Sequence, residues 1–379
     1  MTAPRRRELE RTGTEGARVP VRDALLGVSP YGAPQLDVPV RLNTNETAQP
    51  PPPGFLEEVG HRIRSLELNR YPDRPHHALR DALAARAGLT REQVWAANGS
   101  NEVLIQLLQA YGGPGRRALY VRPGYSMYPE LCRTAVTEAV EVDLDEGFRL
   151  GPELAAAAVA EHDPHLVFVP SPNNPVGTPV EHDAIRALHD DSRALVVVDE
   201  AYIDFADPTA SVLPLLGELP RLAVARTFSK AFRLAGLRLG YLLTHAWVVE
   251  DVQKVRLPYH LDAIKQVAGL VALEQEAAFL DHRAATASER ERVRAVLRDR
   301  GDVEVFDSAA NFLLFRTGVE DLFDRLLDLG VLVRDFSDKP RLAGCLRVTI
   351  GTPQENDAFL AALDAALADA SLPVPRESS

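Results

Sequence analysis

The chain has 379 residues, 46% of them hydrophobic and 25% charged, and a formal net charge of −12. That apolar content supports one large core with a smaller one beside it, while the acidic balance repels nucleic acid except at a local basic patch. Two distant cysteines, Cys132 and Cys345, give no disulfide framework or zinc-ligand spacing. No apolar run approaches the roughly 18 residues of a membrane helix, so the expectation is a reduced, cytoplasmic protein away from membranes.

Residues 1–17 are polar and aperiodic and read as a disordered tail. Its one basic run, Arg5–Arg7, is diluted at once by Glu8 and Glu10, and the segment lacks the apolar stretch of a secretion signal. Residues 18–48 read as an N-terminal arm packing with a C-terminal small domain. The segment QPPPPG, Gln49–Gly54, is a stiff linker that opens a large domain over 49–260. There ALYV (118–121), HLVFVP (165–170), ALVVVD (194–199) and LAVART (222–227) are apolar nearly throughout, as strands covered on both faces are. Helical patterns at Asn101–Ala110, Pro152–Glu161 and Glu181–Asp190 alternate with them. This order predicts an α/β fold around a mostly parallel sheet. After LAVART, the stretch up to Tyr241 reads as a helix packed on that sheet. Beyond Pro258 a long charged helical stretch, about 263–300, precedes the strand-like runs FDSAANFLLF, GVLVRDF and CLRVTIG. Residues 261–379 are expected to form the smaller α+β domain.

Ligands of open α/β sheets bind past the carboxyl ends of the strands, and each loop there offers a polar group. Asp199 ends an all-Val run, where a buried carboxylate needs a cation and an exposed one would serve as a helix N-cap. Lys230, after Ser229, sits in apolar surroundings; it is either a neutral nucleophilic amine able to form a Schiff base or a snorkelling surface lysine. Arg238 could join Ser229 around one anion. Gly99–Ser100–Asn101 opens a helix, as a phosphate seat or as an ordinary Ser N-cap. Arg347, between strand-like apolar residues, needs an anionic partner if buried. His76–His77 and His162/His165 have no metal-ligand geometry and read as surface histidines, and no metal site is expected.

The ordered set RYPD, NGSNE, PGYSMY, SPNNPVGT, DEAYIDF, TFSKAFRLAGLRLGY, ANF, GVLVRDF and LRVTIGT resembles the histidinol-phosphate aminotransferases almost end to end. These are pyridoxal-phosphate enzymes of the aspartate-aminotransferase fold (fold type I). The resemblance implies a pyridoxal 5′-phosphate cofactor carried by Lys230, which also moves the substrate's Cα proton. It implies that Asp199 pairs with the pyridine nitrogen, that Asn174 and Tyr202 bond the ring's 3′ oxygen and that Tyr125 stacks on the ring. Gly99, Ser100, Asn101, Ser229 and Arg238 would hold the phosphate, with Tyr71 reaching in from the second subunit of a homodimer. Arg347 would bind the substrate carboxylate or phosphate, and Tyr31, Asn311 and Arg334 would line the substrate side.

The implied reaction is transfer of an amino group from L-histidinol phosphate to 2-oxoglutarate in two alternating half-reactions. Related readings are an aminotransferase for aromatic or specialised-pathway amino acids, a threonine-phosphate-type decarboxylase, and a non-catalytic binding module; the presence of Lys230 and Asp199 argues against the last. Two departures bear on the substrate. Thr47–Ala48–Gln49 stands where the family usually reads NPYG, and Arg233 stands where it has Gly or Ala, either facing solvent or touching an anionic ligand.

Overall fold

Each apolar run becomes a strand because its side chains are covered on both faces. A computed structural model describes residues 19–30, 32 and 34–370. Its strands, in chain order, are β1 (Val40–Arg41), β2 (Val94–Ala97), β3 (Arg117–Arg122), β4 (Glu138–Asp143), β5 (Leu166–Pro170), β6 (Leu195–Asp199) and β7 (Leu222–Thr227). They continue as β8 (Gly240–Thr244), β9 (Val303–Val305), β10 (Phe312–Thr317), β11 (Val331–Leu332), β12 (Arg334–Asp335) and β13 (Cys345–Thr349).

The main sheet has seven strands in the order β2-β8-β7-β6-β5-β3-β4. Neighbours run parallel except at β8, which is antiparallel to both β2 and β7. Every residue of β5, β6 and β7 is buried. Parallel strands of one sheet need crossovers; the helix His182–Asp190 joins the neighbours β5 and β6, while Ser100–Tyr111 and Pro152–His162 connect strands further apart in the sheet. In His182–Asp190 the apolar Ala184, Ile185 and Leu188 share one buried face. The register Pro170–Asp199–Ala225 sets the carboxyl ends of β5 and β6 level, with β7 running two residues further to Thr227, so their loops open on one edge.

Four antiparallel strands, β12-β13-β10-β9, form a second sheet, and β1 pairs in parallel with β11. A separate apolar cluster, including Leu42, Leu313, Phe315, Leu346 and Phe359, lies with them. Both cysteines are buried free thiols. The chain divides into units between positions 33 and 34. The earlier unit contains a 3-10 turn at Asp23–Leu25. The expected tail, 1–17, lies outside the described residues, as does Tyr31.

Four expectations are corrected. No α-helix follows Lys230: residues 235–237 make one 3-10 turn and Gly240 already begins β8. Arg233 and Arg238 have φ of +54° and +56°, in the left-handed region that helices do not use. The helical stretch near 263–300 is three helices, Ala263–Glu274, Glu276–Leu280 and Arg283–Asp299. His76 is not on the surface; it is buried edge-on to Trp95. In FDSAANFLLF only Phe312 onward is strand.

Candidate active site

The loops past β5, β6 and β7 bring together residues far apart in sequence. Lys230 follows Ser229 in the loop after β7, and its Nζ donates to the carbonyl of Thr44 at 2.9 Å. It also lies 5.6 Å from the centre of the Tyr202 ring. Burial lowers the Lys230 pKa to about 7, helped by the charges of Arg347 and Arg238 and opposed by Glu46 and Asp199. The amine is therefore partly neutral near neutral pH, although the residue keeps a narrow opening to solvent.

Asp199 ends β6 and is buried. Its Oδ1 accepts the N–H of Ala201 at 3.2 Å, and its Oδ2 accepts the Tyr128 hydroxyl at 3.5 Å. Burial raises its pKa to about 6 against those two donors, with Glu200 adding to the rise and Lys230 opposing it. Glu200 is itself neutralised by Arg226 at 2.7 Å. Asp199 caps no α-helix, so the N-cap reading falls and the buried-carboxylate reading stands.

A cup forms beside Lys230. Gly99 has φ +83° and is the N-cap of the helix Ser100–Tyr111, which makes Ser100 its first helical residue and not the cap. The helix itself supplies no acceptor for its first N–H groups, which leaves those of Ser100 and Asn101 for an anion. A Cβ on Gly99 would sit 2.8 Å from Nη2 of Arg238. Arg238 Nη1 donates to Ser229 Oγ at 3.2 Å, and Thr227 Oγ1 donates to the same hydroxyl at 3.0 Å. Gly240 permits the close approach of strand and cup, since a Cβ there would meet the Ser100 nitrogen at 2.3 Å. Tyr125 donates its hydroxyl to Asn101 Oδ1 at 3.1 Å.

On the opposite side, Asn174 Nδ2 donates to the Tyr202 hydroxyl at 3.4 Å, and Asn45 Nδ2 reaches the same oxygen at 3.0 Å. Arg347, buried on β13, bonds Asn174 Oδ1 and donates to the carbonyl of Asn43 at 2.7 Å. Asn311 donates to the Asn45 carbonyl at 3.2 Å. Arg334 on β12 faces Arg347 directly across the ladder, and both guanidiniums lie over Phe336, at 5.9 and 5.3 Å from its centre. Like charges directly opposite destabilise a sheet unless an anion joins them.

Lys230, Asp199, Asn174, Tyr202 and Arg347 thus share one chamber, with the Ser229–Arg238 pair beside it. Tyr71 stands apart: it is exposed and stacks on Tyr259 at 4.2 Å. Sequence reading marked Thr47 only as a departure bearing on the substrate and gave Asn43 and Thr44 no role, whereas Thr47 Oγ1 donates to the Lys230 carbonyl at 2.8 Å beside the Thr44 contact. It also missed Tyr128, whose only sequence signal was a second aromatic three positions after Tyr125. Arg233 neither faces solvent freely nor approaches the chamber; its guanidinium pairs with Asp281 and its backbone takes a left-handed turn.

The family described as aminotransferase class I and II matches residues 38–363. The chain belongs to the class I and II aminotransferases. Among its relatives, a histidinol-phosphate aminotransferase of Thermobifida fusca is 46% identical over 93% of this chain and 96% of its own. One of Streptomyces avermitilis is 48% identical over 91% of this chain and 96% of its own. Among solved structures, histidinol-phosphate aminotransferase from Sinorhizobium meliloti, in complex with pyridoxal-5′-phosphate, superposes with a TM-score of 0.83 at 25% identity. That match covers 93% of this chain and 98% of the other. The aminotransferase fold accounts for the sheet order and for the edge on which the chamber opens. Among the described residues no helix is long and apolar enough to cross a membrane.

Proposed function

We propose that this aminotransferase uses pyridoxal 5′-phosphate to exchange an amino group between L-histidinol phosphate and 2-oxoglutarate. The observation that carries the reading is the largely enclosed Lys230 amine, depressed to about 7, in one chamber with the buried Asp199 and Arg347. The residues fit the cofactor on three counts. Gly99, with the N–H groups of Ser100 and Asn101, Ser229 and Arg238, forms an anion cup with no Cβ in the way. Asp199 is a buried carboxylate with no lysine or arginine within salt-bridge distance among the described residues, suited to a protonated ring nitrogen. Asn174 and Tyr202 converge as donors for a phenolic oxygen.

Bound there, the cofactor supplies a carbonyl carbon for the amino group and a ring that accepts the electron pair left at the substrate's Cα. The protein's part is to hold and move protons. A neutral Nζ on Lys230 takes the Cα proton, which a lysine at its ordinary pKa would do poorly near pH 7. Asp199 holds positive charge at the ring nitrogen, and low local dielectric strengthens that contact. Arg347, pinned by Asn174 and Asn43, receives the carboxylate or phosphate of each substrate in turn, with Arg334 opposite and Asn311 fixing the arm. Tyr125 lies beside the cup to stack on the ring.

The large domain spans 49–260 and the small domain 261–379, and residues 34–48 of the arm join the latter; the pairing of β1 with β11 supports this. The enzyme works as a cytoplasmic homodimer in which Tyr71 serves the partner's cofactor phosphate, a role its exposure supports.

A single-turnover scan of the cofactor-loaded enzyme tests the substrate, using L-histidinol phosphate, phenylalanine, tyrosine, histidine and threonine phosphate, with products identified by mass. The fastest loss of the yellow absorbance is expected with histidinol phosphate, giving its keto product. Faster reaction with another amine, or release of CO2, overturns the assignment.

A further inference from the structure

At the other end of the main sheet lies a cavity of about 570 Å³. It opens where β3, β5, β6 and β7 begin, on the edge opposite the chamber, and a strand of five residues at about 3.3 Å each places the two roughly 17 Å apart. Three arginines line it: Arg116, Arg193 and Arg221. None of them makes an ion pair among the described residues, although the chain as a whole carries a net charge of −12. The one carboxylate in the lining is Asp163, at the end of the helix Pro152–His162.

Part of this cationic charge answers the carbonyl ends of helices, which carry partial negative charge. Arg221 donates to the carbonyls of His189, Ser192 and Ala194, and Arg116 donates to that of Tyr111 at 3.1 Å. Those contacts fix the two guanidiniums in place and use only some of their N–H groups. Arg193 is exposed and bonds no acceptor among the described residues. His165 accepts the N–H of Arg117 at its Nδ1, which puts the ring proton on Nε2 as a further donor. One wall is aromatic: Trp247 is 41% exposed and meets Tyr111 edge-on at 6.0 Å. Fixed guanidinium forks beside an exposed indole suit a ligand that joins an anionic group to a flat ring.

We propose that this cavity is a second ligand site for a small aromatic or heteroaromatic phosphate, a nucleoside monophosphate being the type. It is separate from the chamber and does not depend on the substrate assigned there.

Trp247 makes the test local, because the protein has two tryptophans and the other, Trp95, is fully buried. Fluorescence of the cofactor-loaded enzyme is titrated with adenosine 5′-monophosphate, with adenosine and inorganic phosphate as controls. A saturable change is expected with the nucleotide, at least tenfold weaker with adenosine. In Arg193→Ser the apparent Kd rises by roughly tenfold or more, the worth of one charged hydrogen bond, while steady-state rates stay unchanged. Arg116→Ser, also at the surface, gives a second reading of the same loss should the first variant fold poorly. No saturable change at millimolar nucleotide overturns the proposal. So does a signal that survives Trp247→Phe, binding insensitive to both arginine variants, or nucleotide that competes with 2-oxoglutarate and so occupies the Arg347 chamber.

Discussion

Removing the charge of Lys230 from the cofactor-free enzyme is expected to stabilise it, and to do so in a pH-dependent way. Lys230 falls from an ordinary 10.5 to about 7 on folding, chiefly through burial. Between those values the unfolded chain holds a proton that the folded chain has shed, so wild-type stability rises with pH through that window. The cost is full below pH 7 and gone above 10.5. A fall of that size corresponds to about 5 kcal/mol at most, and the residue's partial opening to solvent screens it to roughly 2–4 kcal/mol. In Lys230→Met, a nearly isosteric change, the titration disappears. Urea unfolding of both apoenzymes at equal protein concentration should show the variant ahead by about 2–4 kcal/mol at pH 6 and by about 1 kcal/mol or less at pH 9.5. The gap should narrow in an Arg347→Ala background, because Arg347 is the largest charge depressing the amine. An equal gap at both pH values, or a variant less stable than wild type at pH 6, refutes the reasoning.

Gly99→Ala forces a Cβ into a φ of +83° and to within 2.8 Å of Arg238, a backbone strain of about 1–3 kcal/mol. Titration of pyridoxal phosphate into the apoenzyme should weaken about tenfold, and unchanged affinity would remove Gly99 from the cup. Arg347→Ala should keep the cofactor's absorbance while kcat/KM for 2-oxoglutarate falls by about 2–5 kcal/mol of transition-state binding, as for a truncated buried charge contact; unaltered kinetics exclude it from the chamber. Arg233→Gly relieves a left-handed turn and loses the Asp281 contact. These oppose each other at about 1 kcal/mol each, so stability should move by less than about 1 kcal/mol. Every substrate's kcat/KM should stay where it is, and a substrate-selective change would put Arg233 back at the ligand.

The sequence by itself determined strands β3, β5, β6 and β7 of the main sheet and the identity of its chemical groups. Strands β5, β6 and β7 are buried on both faces, and such burial writes an unbroken apolar run that needs no partner to be read. Strand β4, EAVEVD, mixes exposed and buried positions at the sheet's border and left no such run. The loop after Lys230 has apolar residues at helical spacing, but left-handed backbone at Arg233 and Arg238 breaks it, and only the packing of Gly240 against the cup requires that path. His76 carries a polar label, yet neighbouring rings bury it beside Trp95 and burial pushes its pKa down to about 3. Nothing local announces that.

Tertiary structure alone decided the setting of the catalytic amine. Thr44 and Thr47 reach Lys230 from 186 and 183 residues away, and Asn45 bonds both Tyr202, 157 residues on, and Thr349, 304 residues on. Spacing in the sequence carries no trace of such contacts. The pKa values of Lys230 and Asp199 are tertiary as well, because desolvation, and for Lys230 the placement of Arg347, exist only once the chain has closed. Residue types say which groups can do this chemistry; the shared burial of those groups sets the charge state in which they do it.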